Sequence, residues 1–175
     1  VLKMTKKNNP QLAVINSIKN KVTNISSFAE IWESPSGEKS LYSTITFQPG
    51  EIISRFESKT RLTEPNYLTL QLDEHEHIML EPEFLQYINH SCQPNVFFDT
   101  QKYVVTCLKK IEAGEEITFF YPSTEWSMAS SFNCYCTSQE CLGIIQGAAH
   151  LQPNILNKYK ISDYIKQQLY QSFNV

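Results

Sequence analysis

The sequence predicts a mainly β domain with a helical extension at its C-terminal end, on three observations. Short apolar runs of strand length recur from Phe28 to Tyr121, and Gly, Pro, Asn and Asp turn signals punctuate them. Helical spacing of apolar residues is confined, beyond the first residues, to the stretch after residue 150. Between apolar Tyr87-Ile88 and Val96-Phe97-Phe98 lies a dense polar stretch, Asn89-His90-Ser91-Cys92-Gln93-Pro94-Asn95. Two amide-bearing asparagines, an imidazole, a hydroxyl, a thiol and a helix-breaking proline so close together are more than packing requires.

Each element can be justified in order. Residues 1–27 are polar and rich in Asn and Lys, with one apolar run at Leu12-Ala13-Val14-Ile15 and Ile18; they predict an N-terminal arm with a short helix. Phe28-Ala29-Glu30-Ile31-Trp32 and Lys39 to Ile45 read as two strands joined by the turn chemistry of Ser34-Pro35-Ser36-Gly37. Gln48-Pro49-Gly50-Glu51 turns the chain into Ile52-Ile53-Ser54-Arg55-Phe56. Tyr67 to Leu72 alternates apolar with polar, and Asp73-Glu74-His75-Glu76 returns it into His77-Ile78-Met79-Leu80, the strongest hairpin signal in the chain. His75 and His77 flank that turn and read as surface residues. Glu81 to Tyr87 predicts one or two helical turns with Pro82 early in them. Tyr103 to Leu108 and Glu116 to Tyr121 are strands on either side of the turn Glu112-Ala113-Gly114-Glu115. Ile155 to Tyr159 and Ser162 to Phe173 carry helical spacing, with Ser162 as the N-cap.

Composition bounds the function. A chain of 175 residues with 41% apolar content can bury one substantial core, so one domain is expected. Fifteen Lys and Arg against 18 Asp and Glu leave a net charge of -3, which gives no overall basic field beyond a local patch, so direct nucleic-acid binding is not expected. No apolar run approaches the roughly 18 residues of a membrane span, and the first residues lack the apolar core of a secretory signal. An intracellular protein, cytoplasmic or nuclear and without membrane attachment, is the expectation.

The cysteines carry the strongest chemical signal. Cys134, Cys136 and Cys141 form C-x-C-x4-C, which brings three soft thiolates together, whereas tetrahedral zinc takes four ligands. In a reducing compartment such crowding favours a metal over disulfides. Cys107 sits between Val105 and Leu108 and reads as a small buried hydrophobe, so Cys92 in the polar stretch is the better fourth ligand.

Three stretches together resemble the SET-domain lysine methyltransferases. Asn89-His90-Ser91-Cys92-x-Pro94-Asn95 and Gly114-Glu115-Glu116-Ile117-Thr118-Phe119-Phe120-Tyr121 are similar to the two core motifs of that family, and Phe132-x-Cys134-x-Cys136-x4-Cys141-x-Gly143 to its post-SET motif. Order and spacing match across about Phe28 to Gly143. The resemblance implies a SET-type fold of several small curved β-sheets closed by a C-terminal pseudoknot. It divides the chain into an N-terminal arm at 1–27, a SET domain at 28–122, a zinc-binding post-SET segment at 123–145 and a C-terminal helical extension at 146–175.

The function it implies is S-adenosylmethionine-dependent transfer of a methyl group to a lysine ε-amine of a protein substrate. Tyr121 is then the catalytic residue, with Phe119, Tyr87 and Trp126 along the substrate channel. Asn89, His90, Lys39, Ser40, Leu41, Tyr42, Phe132, Cys134 and Tyr135 are the implied cofactor-binding residues. Cys92, Cys134, Cys136 and Cys141 hold a structural zinc ion that pins the tail over the cofactor. Lysine, with a pKa near 10.4, is protonated at pH 7 and cannot attack. An apolar channel beside a sulfonium cation lowers that pKa, leaving in-line positioning to do the rest.

Three positions depart from the family pattern. Glu38-Lys39-Ser40 stands where a Gly-x-Gly loop is usual, Phe120 where an acidic residue is common, and Gln86 where Arg is frequent. The altered loop keeps two alternatives open: a degenerate SET fold acting as a binding module, and a methyltransferase acting on a small-molecule amine.

Overall fold

The structure, a computed structural model, describes residues 20–173. The helix expected around Leu12 to Ile18 lies outside them. Asn20–Asn24 (β1), Ala29–Glu33 (β2) and Lys39–Ser43 (β3) form an antiparallel sheet in that order. Part of the stretch read as an arm is therefore a strand; β1 has no apolar alternation, and its backbone pairing with β2 fixes it.

Thr69–Gln71 (β6) and His77–Glu81 (β7) form the expected hairpin, with Leu70 opposite Ile78. The other edge of β7 pairs with Glu57–Leu62 (β5), a polar strand that the apolar pattern does not mark. His77 departs from its surface reading: it is 3% exposed, because its register sets it between Leu62 and Gln71 on neighbouring strands. Burial lowers its pKa. Glu83–Tyr87 is a 3-10 helix that starts after Pro82 rather than including it.

The central sheet places Ile52–Arg55 (β4), Val104–Cys107 (β10), Val96–Asp99 (β9), Thr118–Phe119 (β11) and Asn89–His90 (β8) side by side in that order. β11 lies between β8 and β9 and runs parallel to both. The Ser91 N–H donates to the Phe119 carbonyl and the Asn95 N–H to the Thr118 carbonyl, each at 3.0 Å. Residues 91–95 therefore bridge over β11, and the chain leaving Phe119 passes beneath that bridge. Asn95 locks it: its Oδ1 accepts the Thr118 N–H at 2.7 Å and its Nδ2 donates to the Glu116 carbonyl at 2.8 Å. The strand expected to reach Tyr121 stops at Phe119, and a 3-10 turn over Tyr121–Ser123 follows, where Pro122 has no N–H for a ladder.

Leu41, Phe56, Ile78, Leu85, Ile88, Phe98 and Ile117 are among the fully buried side chains of the main core. A second cluster gathers Phe120, Ala148, Leu156, Tyr164 and Ile165, with Trp126 and Tyr159 packed against it. Its helices are Pro153–Leu156 (α1) and Asp163–Phe173 (α2); the Ile165 N–H donates to Ser162 Oγ at 3.3 Å, as an N-cap requires. Before them Phe132–Asn133 (β12) and Ile144–Ile145 (β13) form a ribbon around the cysteine segment. Gly147 lets the chain return close to Trp126: it has φ 111°, and a Cβ there would lie 2.5 Å from the Trp126 carbonyl oxygen. Among the described residues no helix is long and apolar enough to cross a membrane.

Candidate functional site

The polar stretch delivers its side chains to two neighbouring places. Strand β8 turns the Asn89 side chain toward β3, where its Nδ2 lies 3.1 Å from the Lys39 carbonyl oxygen, 2.8 Å from Ser40 Oγ and 3.0 Å from Glu116 Oε1. The Tyr42 hydroxyl donates to the other Glu116 oxygen at 3.2 Å. Asn89, Lys39, Ser40 and Tyr42 are thus brought together, with Glu116 as the hub that sequence reasoning missed. Leu41, between them in sequence, points its side chain into the core.

His90 faces the other way. Its Nδ1 accepts the Tyr121 N–H at 3.2 Å, and its Nε2 lies 3.4 Å from Cys92 Sγ. Burial lowers its pKa to about 4, so the ring is neutral. The ring centroids of Phe120, Tyr121 and Phe132 lie 5.7, 5.3 and 5.7 Å from it. The Tyr121 hydroxyl donates to the Ile88 carbonyl at 3.3 Å, and burial holds that hydroxyl far above its ordinary pKa, so it stays protonated.

In front of Tyr121 opens a cavity of about 270 Å³. Phe119, Tyr121 and Phe132 line it, as do apolar Leu70, Leu85 and Ile88. Phe119 packs on Tyr121 with ring centroids 4.7 Å apart. Tyr87 and Trp126 do not line this cavity. Tyr87 packs on the main core beneath Lys39, whose Nζ lies 5.0 Å from its ring centre. Trp126 belongs to the second cluster, drawn away because its backbone N–H donates to Gln71 Oε1 and its carbonyl accepts from Ala149. The family resemblance implied a channel wall at these positions, and side-chain packing places Tyr87 on the main core and Trp126 on the second cluster.

The sulfur atoms of Cys92, Cys134, Cys136 and Cys141 all lie within 4.8 Å of one another, with 3.9 Å between Cys92 and Cys134. Such an arrangement could hold a metal ion, since four thiolates at 2.3 Å from a tetrahedral centre would lie about 3.8 Å apart. Burial pushes the Cys92 thiol up to about 11. Burial acts in the same direction on Cys136, but hydrogen bonds from the Cys92 and Ser138 amides and from the Cys134 and Cys141 thiols together outweigh it and bring that thiol down to about 7. Cys107 stands apart, buried, its thiol donating to the Lys109 carbonyl at 2.9 Å. Tyr135, next to two of the cluster cysteines, is 66% exposed.

Residues 38–122 match the SET domain family. The chain is 31% identical over 160 residues to Methyltransferase flvH of Aspergillus flavus, covering 83% of this chain and 89% of that protein. It is 27% identical over 128 residues to a histone-lysine N-methyltransferase of Saccharomyces cerevisiae, covering 65% of this chain and 17% of that protein. It is 40% identical over 70 residues to Histone-lysine N-methyltransferase Set2 of Drosophila melanogaster, covering 35% of this chain and 3% of that protein. The chain thus spans nearly all of the Aspergillus relative and only a small part of the two histone-directed ones.

Proposed function

The chain belongs to the SET-domain family of S-adenosylmethionine-dependent methyltransferases, and from that premise we propose that it methylates the ε-amine of a lysine in a protein substrate. One observation carries the reading. Tyr121 and Phe132 line the cavity on one side and pack on His90, next to the Asn89 cluster, on the other. An acceptor nitrogen in the cavity and a methyl donor beyond it would meet at Tyr121.

The residues around Asn89 suit the cofactor's chemistry. The Glu116 carboxylate and the Lys39 carbonyl are acceptors for its ammonium group, the Asn89 amide and Ser40 hydroxyl are donors for its carboxylate, and Phe132 offers an apolar ring for its adenine. His90, Tyr42 and the backbone of Leu41, Cys134 and Tyr135 complete the proposed set. Bound S-adenosylmethionine supplies an electron-poor methyl group on a sulfonium. The chain's own part is positioning: Tyr121 orients the acceptor within the cavity. Cys92, Cys134, Cys136 and Cys141 would hold one structural zinc that keeps β12 and its aromatic ring in place.

A second reading has an observation in its favour. The relative that this chain covers over 89% of its length bears a name that specifies no histone. A small-molecule amine is then the acceptor in place of a protein. A protein acceptor of the kind named for the histone-directed relatives would put the enzyme in the cytoplasm or nucleus.

Incubating purified protein with radiolabelled S-adenosylmethionine and a cell lysate, then separating macromolecules from small molecules, decides between them. Label on protein lysines supports the proposal, and label confined to the small-molecule fraction replaces it. Cofactor binding by calorimetry with no label in either fraction would leave a binding module.

A further inference from the structure

One carboxylate in the cavity wall has no part in holding Tyr121 or the Asn89 cluster. Glu125 is 7% exposed, yet it lines the cavity with Phe119 and Tyr121. Its Oε1 accepts the Gln71 N–H at 2.9 Å and the Thr124 hydroxyl at 3.2 Å. Its Oε2 makes no hydrogen bond among the described residues. The chain builds this placement with care: the Glu125 N–H donates to the Tyr121 carbonyl, and its own carbonyl accepts the Ala148 N–H beside Gly147.

The rest of the wall points to the same kind of guest. Among the described residues no Lys, Arg or His lines the cavity. Gln86, also in the wall, has its Oε1 buried with no partner among the described residues. A carboxylate oxygen with no hydrogen bond, a buried amide oxygen with no partner and apolar side chains in one wall favour a guest that donates hydrogen bonds and carries positive charge. Among the described residues the groups that face Glu125 from neighbouring elements are the Tyr121 and Tyr164 hydroxyls, the Thr124 hydroxyl and the Gln71 backbone amide, none of them cationic.

We propose that Glu125 is a second catalytic residue, whose Oε2 binds the acceptor as an alkylammonium and then takes its proton, so that the cavity selects cationic primary and secondary amines. This rests on the reading of the cavity as the acceptor channel. In the step, an N–H bond of the ammonium breaks, its electron pair stays on nitrogen, and the proton forms an O–H bond on Oε2. The pair left on nitrogen would make the new bond to the methyl carbon as the carbon–sulfur bond of the donor breaks and its pair goes to sulfur, leaving a neutral thioether, and the proton later passes to solvent. The energetics suit the transfer. In water an alkylammonium and a glutamic acid differ by about six pKa units. Burial pushes the Glu125 carboxyl up to about 7, which narrows that gap.

The test uses n-butylammonium chloride as the probe, titrated by calorimetry into the whole protein without cofactor. Wild-type protein is expected to bind it at pH 7.5, Glu125→Gln to bind it at least tenfold more weakly, and Glu125→Asp to fall between. Uncharged 1-pentanol should bind all three alike. Label transfer into lysate acceptors should rise with pH through about 7 in the wild type, following ionisation of Glu125, and lose that limb in Glu125→Gln. Equal butylammonium binding by wild type and Glu125→Gln overturns the proposal; if the probe still inhibits methyl transfer, the channel reading survives. Binding that leaves methyl transfer unaffected overturns the channel reading itself, and no binding by wild type at millimolar probe overturns both. Should Glu125→Gln fail to fold, the Glu125→Asp comparison decides: affinity equal to wild type counts against the proposal.

Discussion

The ring of Tyr159 lies flat on that of Phe120, their centroids 3.7 Å apart and their planes 6° from parallel. The Tyr159 hydroxyl also donates to the Cys92 carbonyl at 3.0 Å. One side chain from beyond the cysteine segment therefore grips both core motifs. An acid at position 120 would meet this ring with a charge, whereas Phe120 completes an apolar surface and is 2% exposed. Tyr159→Phe should cost about 1 kcal/mol, the net worth of a hydrogen bond. Tyr159→Ala should cost about 3 kcal/mol through lost stacking and packing. Urea unfolding of the two variants checks the difference.

Metal content is the next expectation. With four sulfurs converged, freshly purified reduced protein should contain about one zinc per chain by elemental analysis. Removing it with a chelator should lower the melting temperature, because the segment between β12 and β13 has little apolar surface of its own. Cys107→Ser should leave the metal content unchanged, its thiol being engaged with the Lys109 carbonyl instead.

Turnover and cofactor affinity should separate at two positions. Tyr121→Phe removes a hydroxyl from the cavity wall, and is expected to lower kcat by about a hundredfold with little change in S-adenosylmethionine binding. Asn89→Ala deletes the amide that ties Lys39, Ser40 and Glu116 together, and should weaken cofactor binding at least tenfold. Calorimetry and single-turnover kinetics supply both numbers.

Product state should depend on Phe119. Its ring carries no hydroxyl to restrain a methylated nitrogen, so products beyond the monomethyl amine should accumulate on long incubation. Phe119→Tyr should narrow them toward monomethyl. Mass spectrometry of the products reads the result, and monomethylation alone from the wild type would remove this role for Phe119.

Stability should fall as pH rises, on account of Glu125. Its carboxyl holds a proton more tightly when folded, at about 7, than at its ordinary 4.5. Between those values the folded chain keeps a proton that the unfolded chain has lost. The contribution is fully present below pH 4.5 and disappears as pH passes 7, a swing of about 3 kcal/mol. Glu125→Gln should flatten the fall, as melting curves at pH 5 and pH 8 would record.

Sequence reasoning reached furthest where chemistry is concentrated. The stretch from Asn89 to Asn95, the residues around Tyr121 and the cysteine spacing each declare themselves by residue type, and the strand from Lys39 and the hairpin at His77 follow from apolar alternation. It fell short where backbone pairing alone decides. β1 and β5 are polar strands held by their neighbours, and no period marks them. Glu125 is a single acid beside Trp126 with nothing local to distinguish it; only the turn after Tyr121 and the close approach at Gly147 bring it to the cavity. Trp126 and Tyr87 show the converse, prominent residues whose partners lie away from the cavity.

The passage of the chain beneath residues 91–95 has a consequence for the order of its making. Synthesis runs from the N-terminus, so β8 and β9 leave the ribosome before the strand that belongs between them. Until Thr118 and Phe119 emerge, the facing edges of those two strands lack the partner they share, and the apolar residues Val96 to Phe98 are poorly covered. Parallel pairing at such separations is slow, and an uncovered edge invites other chains to pair with it. The nascent protein should therefore lean on chaperones during that interval, and a version ending before residue 118 should aggregate rather than fold.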